Sequence, residues 1–362
     1  MRSSFLRAVA LSAVGLLSAP CWAAAPFVQD VIASGLDNPR GISFDNHGHL
    51  YVAEAGKGGD TGKCIMGGEG EVCLGYTGAL TRIDKTGTLP PRRVVRHIPS
   101  LANSEGGGAA GLVDVTFGPW GVAYGVIGLG ADPAVRDTLG KAGDYLGHVV
   151  VFTPFGVAIP IADVARHEQR QNPAGGTIDS NPYGIEAQFL RQIVADAGGN
   201  SLIEVLPGGR TRTLAVFPPV PAPDPSGAII PAQPVPTAVT QGPDGFLYVG
   251  QLVGFPFPAG GASVFRIPPE GGTPQVYATG FTNIVDIAFG LSGELYVLEI
   301  SSRGLLVGPP GQLIRVDPNG TRTVLADGLM FPGGIAVDRD GTLYVTNFGT
   351  SAGLGEVLRI VQ

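Results

Sequence analysis

Basic residues are scarce in this sequence and nowhere form a cluster. It carries 23 lysines and arginines against 30 aspartates and glutamates, for a net charge of −7 over 362 residues. Phosphate backbones are held by concentrated positive charge, so nucleic acid is excluded as a partner. Long apolar runs are missing as well. The run from Ala8 to Leu17 is too short to span a bilayer, and nothing after it is longer, so no membrane span is expected. Charged residues are few, at 15%, whereas glycine (57) and proline (31) abound. That balance suits many short strands joined by turns and argues against helical bundles.

Arg2, Arg7, the Ala8–Leu17 run and the small residues Ala23, Ala24 and Ala25 together have the layout of a cleaved export signal. Residues 1–25 are therefore expected to be a signal peptide and 26–362 the mature domain, periplasmic or secreted. Cys21 follows Pro20, where a lipoprotein signal wants a small residue, so a lipid anchor is not expected. Without Arg2 and Arg7 the balance is 30 acidic residues against 21 basic, a charge near −9. Cys64 and Cys73 then remain, in one Gly-rich segment. In an oxidising compartment a disulfide is the best reading, because a zinc pair needs two further ligands nearby and none is evident.

Self-similarity decides the fold. Residues 40–55 (RGISFDNHGHLYVAEA), 236–252 (PTAVTQGPDGFLYVGQL), 282–300 (TNIVDIAFGLSGELYVLEI) and 331–348 (FPGGIAVDRDGTLYVTNF) share one plan. A short alternating stretch meets a polar turn with glycine, then Leu-Tyr-Val. Alternation of period two makes strands, and Asp-Gly or His-Gly turns reverse them. A third strand such as 311–318 (GQLIRVDP) and a fourth such as 321–330 (TRTVLADGLM) complete a four-stranded unit. Two degenerate units, 111–162 and 181–218, bring the number to six. An all-β, six-bladed β-propeller follows. The last unit lacks a fourth strand, and 27–37 (FVQDVIASGLD) resembles 321–330, so the N-terminal strand is expected to complete the final blade and close the ring. Two motif matches yield to this frame. Asp338-Arg339-Asp340-Gly341 reads as a hairpin turn, not a Ca²⁺ loop, because strands flank it. Gly349-x-Ser351-x-Gly353 lies in a loop between strands, not in the strand–turn–helix setting of a nucleophile elbow.

Strand order places the first-to-second and third-to-fourth turns on one face of the disc, and these are short. The long connections (55–78, 128–147, 163–180, 218–236, 252–261 and 301–311) fall on the other face, which is where function is expected. The Pro-rich 218–236 stretch reads as a stiff extended connector. At the ends of the second strands the aligned residues are Glu54, Ile127, Asp196, Gln251, Glu299 and Asn347. Near the tops of the innermost strands stand Asp114 and Asp286, where the equivalent positions carry Gly41, Gly184, Ala238 and Gly334. Glu54, Asp196, Glu299 and Asn347 are candidate ligands for a central Ca²⁺ or Mg²⁺, with Asp114, Gln251 and Asp286 lining the channel, because hard cations take such oxygens. The alternative, which is favoured, is that these polar ends are solvated or bond neighbouring loop amides. His47, His49, His97, His148 and His167 form no placeable catalytic arrangement.

Residues 35–41 (GLDNPRG), followed by 50–55 (LYVAEA) and a Gly/Cys loop, resemble the ScyD/ScyE family, as do residues 331–348. The resemblance covers essentially the whole mature chain. NHL-type and gluconolactonase-like propellers share its Gly-Ile-Ala and Leu-Tyr-Val strands. It implies an exported propeller and conveys no reaction. Two functions follow as expectations. One is a monomeric, non-catalytic module that binds a small molecule or a protein on the long-loop face. The other resembles the gluconolactonase type. There Glu54, Asp196, Glu299 and Asn347 would hold a divalent ion, and Asp114 or Asp286 would act as base. The Glu-Gly-Pro motif of those enzymes is absent, with Gly41 and Gly334 where its carboxylate is expected.

Overall fold

The computed structural model describes residues 28–68 and 70–361. The expected signal peptide, Cys21 and Phe27 lie outside the described residues. The chain is mostly strand, with 5% helix, arranged as six blades around an axis. Five blades form from consecutive strands. They begin with the innermost strands Pro39–Phe44, Leu112–Phe117, Pro182–Gln188, Pro236–Gln241 and Ile284–Phe289. The sixth is composite: Ile335–Val337, Leu343–Asn347 and Gly355–Val361 take Val28–Leu36 as their outer strand, from Val28 opposite Val361 to Leu36 opposite Gly355. The expected closure of the ring is therefore what the structure has.

Alternation along each strand sends apolar side chains to both faces of a blade, and each face packs on the next blade. The result is an apolar cluster in every gap. The gap that closes the ring joins Ile32, Ala33 and Leu36 of the N-terminal strand to Ile42, Leu50 and Val52 of the first blade and to Tyr344 and Val357 of the sixth. On the axis the innermost strands crowd together. A β-carbon on Gly184 would stand 3.0 Å from Ala238 Cα, and one on Gly334 would stand 2.9 Å from Gly41 Cα. Small residues at these positions let six strands meet.

The first blade carries an extension. Its third strand, Gly70–Ile83, outruns the sheet and pairs with Cys64–Gly67, so that Cys64 faces Cys73 across the ladder and the two form a disulfide. The short turns are as expected. Asp45, Asp84, Asp244 and Asp338 each accept backbone N–H bonds from residues two to five places on. The 218–236 stretch departs from expectation. It folds back as a hairpin of Val220–Pro223 and Ile229–Ala232, turned at Asp224–Gly227. The 163–180 connection contains an α-helix, Val164–Gln171, whose first turn is capped by Asp163 Oδ1 accepting from Arg166 N.

Leu36 is fully buried in the closing gap. Leu36→Ala is expected to destabilise the protein by about 2–5 kcal/mol, read by chemical denaturation. A loss below about 1 kcal/mol would mean that this seam is not part of the cooperative fold.

Candidate functional site

The polar residues that end the second strands are buried, and four of the five are occupied. Glu54 Oε2 accepts from Asp37 N at 2.8 Å, Glu299 Oε1 from Thr282 N at 2.7 Å and Asn347 Oδ1 from Met330 N at 2.7 Å. Each donor lies 17 residues upstream, in the connection that brings the chain into that blade. Asp196 makes the equivalent bond to Asn181 N, 15 residues upstream, at 2.7 Å. The side chain thus clamps the crossover to the strand end and satisfies an amide that would otherwise be buried without a partner. Gln251 has no such bond: the residue 17 places before it is Pro234, which has no N–H, and Gln251 Nε2 is buried without a partner. At the sixth position Ile127 needs no partner, and Ala110 N bonds Leu101 O instead.

The remaining oxygens are engaged as well. Glu54 is paired with Arg93 at 2.6 Å and accepts from Thr81 Oγ1. Asp196 also accepts from Ser180 Oγ and Gly199 N, and Glu299 from Gln312 Nε2. Glu54, Asp196 and Glu299 belong to three different blades. Among the described residues, the one group of three His, Cys, Asp or Glu ligand atoms within 4.8 Å of one another is Cys64, Glu71 and Cys73, two of which form the disulfide. The four residues expected to share a cation are therefore not brought together, and as a set they do not fit a Ca²⁺ or Mg²⁺ ion.

What does reach the axis is set by a repeated backbone irregularity. The ladder between first and second strands slips once in each of the first five blades, between Pro39 and Ile42, Leu112 and Asp114, Pro182 and Gly184, Pro236 and Ala238, and Ile284 and Asp286. A bulge re-aims the side chain it carries. Two of these bulge residues meet at the long-loop end of the channel: Arg40 Nη1 donates to Tyr183 Oη at 3.4 Å, and Arg40 Nη2 to Ala109 O at 3.3 Å. Tyr183 extends from the third blade to pack against the apolar cluster of the fifth and sixth.

One residue further in stand Asp114 and Asp286, on the second and fifth blades. Each carboxylate ties its own strand to the next blade: Asp114 accepts from Val115 N and Ile185 N, Asp286 from Ile287 N and Ile335 N, all at 2.8–2.9 Å. Burial pushes both acids well above the ordinary aspartate range, and for Asp114 the charge of Asp286 adds to the push. Burial also raises Glu186, on the neighbouring inner strand, to about 7. Asp114 and Asp286 thus stand on innermost strands, each bonded to amides of its own and the next blade, with their carboxyls raised by burial. Gln251 stands on a second strand and not on the innermost one.

Arg40 and Tyr183 are not among the residues expected from sequence. The signal that was available is their alignment one place before Gly41 and Gly184, where the other blades carry Val113, Thr237, Val285 and Gly333. The histidines stay scattered: His49 bonds Asp45, His148 sits beside Asp163, and His167 bonds Thr211 and Thr213.

No protein-family model matches the sequence, and no curated protein matches it. Solved structures do resemble it. A protein of unknown function from Bacteroides thetaiotaomicron superposes with a TM-score of 0.56 at 9% identity, over 93% of this chain and 76% of that one. An auxiliary nutrient binding protein from the same species gives 0.51 at 11% identity, over 90% and 69%. A streptogramin B lyase gives 0.49 at 12%, over 92% and 98%. At such identities the likeness establishes the β-propeller fold alone.

The buried acids set a pH dependence. Burial raises Glu168 and Glu186 to about 7 and Asp196 to about 6, and it raises Asp114 and Asp286. The folded chain keeps protons that the unfolded chain releases, so stability present at acid pH is lost as pH rises through these values. His148 and His167 are held below their ordinary value by burial and act in the opposite sense at more acid pH. From pH 6.5 to 8 the carboxylates dominate, and the melting temperature is expected to fall. Asp286→Asn is expected to flatten that fall. A profile that rises over this range, or one unchanged by the substitution, would contradict the assignment.

Proposed function

We propose that the protein is an exported, monomeric binding module of the ScyD/ScyE type that engages its ligand on the long-loop face around the channel mouth. Support for export comes from the N-terminal segment and the Cys64–Cys73 disulfide. Support for the family reading comes from residues 35–41 and 50–55. Among the described residues, no helix is long and apolar enough to cross a membrane. Exposed apolar side chains on the same face, Phe255, Leu306, Val307 and Leu354, suit contact with a partner.

The observation that carries the reading is Arg40. It is 8% exposed, and among the described residues it is the one lysine or arginine so deeply buried. Among the described residues it forms no ion pair, its two hydrogen bonds are long, and its Nε has no partner. A buried charge without a counter-charge is costly to keep. At the mouth of the channel, on the face that holds the long connections, the counter-charge belongs to the ligand, so the ligand carries a carboxylate or a similar anion. The metal-dependent hydrolase reading draws no support from the placement of Glu54, Asp196, Glu299 and Asn347.

The test is a thermal shift in acetate, benzoate and citrate, with methyl benzoate as a neutral control. At least one anion is expected to stabilise the wild type, more weakly as salt rises, and to leave Arg40→Met unshifted. Arg40→Met by itself is expected to melt at or above the wild type. A marked fall in its melting temperature, or equal stabilisation of both proteins by the anion, would refute the reading.

A further inference from the structure

The face of short turns carries a built cleft. The cleft lies between the second and third blades and encloses about 370 Å³. Val122, Tyr124 and Ile161 form the wall from the second blade, and Gln192, Val205 and Pro207 the wall from the third. Above it, Trp120 and Phe189 reach from the two opposing turns and meet with ring centroids 5.1 Å apart. Trp120 is 68% exposed and Phe189 62%. Two large aromatic rings held at a rim in water lose the burial that usually justifies them. Both sit in first-to-second turns, and among the described residues they are the exposed aromatic pair on such turns.

Polar groups inside the cleft are unspent. Gln192 pairs with Ala187 and Val205 in the sheet, and Val205 belongs to the apolar cluster joining the second and third blades, so Gln192 points into that same gap. It is 8% exposed. Among the described residues, neither its amide nor the hydroxyl of Tyr124 makes a side-chain hydrogen bond. These groups face the cleft with their hydrogen-bonding capacity unused, and so are free to pair with a bound molecule. An amide offers one acceptor and two donors, and a tyrosine hydroxyl offers one of each.

We propose that this cleft binds a small, flat aromatic molecule carrying an amide or hydroxyl group. The ring slides between the apolar walls and stacks beneath Trp120 and Phe189, in the offset or edge-on geometry that aromatic faces prefer. The polar group pairs with Gln192 and Tyr124. The volume lies in the range of small-molecule sites, roughly 300–1,000 Å³, and suits one such molecule. A carbohydrate, which presents hydroxyls all round, would leave most of them unpaired against Val122, Ile161 and Val205. This site is independent of the Arg40 face.

The sequence contains two tryptophans, Trp22 and Trp120. In the mature chain from residue 26, as in the full chain with Trp22→Phe, Trp120 is the sole tryptophan and reports directly on the cleft. The probes are benzamide and 4-hydroxybenzamide, with toluene as the apolar parent and cyclohexanecarboxamide as the non-aromatic amide. Saturable change in Trp120 emission is expected with the two aromatic amides. It should weaken at least tenfold in Gln192→Leu, which removes the amide and keeps the fold, with a melting temperature equal to or above that of the parent. Toluene should bind the two proteins alike, and cyclohexanecarboxamide should bind neither. Emission that never saturates, or amide binding unchanged by Gln192→Leu, would overturn the proposal. So would a concentration-dependent dimer in sedimentation that Trp120→Ser abolishes, because the rim would then serve a second copy of the chain.

Discussion

Every feature of the disc depends on one antiparallel ladder, that between the N-terminal strand and the C-terminal one. A ring of sheets has no core of its own. Each apolar face is buried only because the next blade covers it, and the last gap can be covered only if the first and sixth blades are held at the right spacing. Pairing Val28–Leu36 with Gly355–Val361 does this with backbone bonds, which are indifferent to side chains. Specificity comes from the cluster of Ile32, Leu36, Leu50 and Val357. The ion pair of Arg359 with Asp30, at 2.7 Å, lies on the rim of the same ladder and adds little there. An opened ring would expose two full blade faces, so the seam and the disc stand or fall together.

Closure also dictates what the repeated polar residues do. Each blade is entered through a connection whose amides come to rest under the neighbouring loops, away from water. Glu54, Asp196, Glu299 and Asn347 stand where the second strand ends, and each takes the amide of its own entry connection. The exception supports the rule, since Gln251 faces a connection whose corresponding residue is Pro234 and is left without that bond. A pattern of carboxylates around an axis, which reads in one dimension as a coordination shell, is in three dimensions a set of separate clamps. The true axial residues, Arg40, Asp114, Tyr183 and Asp286, are placed by bulges and small neighbours instead.

The period, the turn chemistry and the alternation were legible in the sequence because each is local. So was the seam, because 27–37 and 321–330 share a pattern that only a fourth strand would need. Contacts between blades were not legible. Arg40 meets Tyr183 across 143 residues, and the alignment that sets them apart from their equivalents does not show that they touch. The cleft at Gln192 exists because two turns of different blades face each other, and their aromatic residues are isolated in the sequence. The 220–232 hairpin was missed although Asp224-Pro225-Ser226-Gly227 is a turn sequence, since the prolines around it suggested an extended rod. The Val164–Gln171 helix likewise had its signals, with Asp163 as cap and Asn172 as a left-handed stop.

Amide hydrogen exchange tests the closure most directly. The hydrogen-bonded amides of Val28–Leu36 are expected to exchange as slowly as those of Leu343–Asn347, the second strand of the same blade, because one cooperative opening would release both. Rapid exchange at 28–36, with protection elsewhere in the sixth blade intact, would show a detached N-terminal strand. The ring would then be held by some other contact.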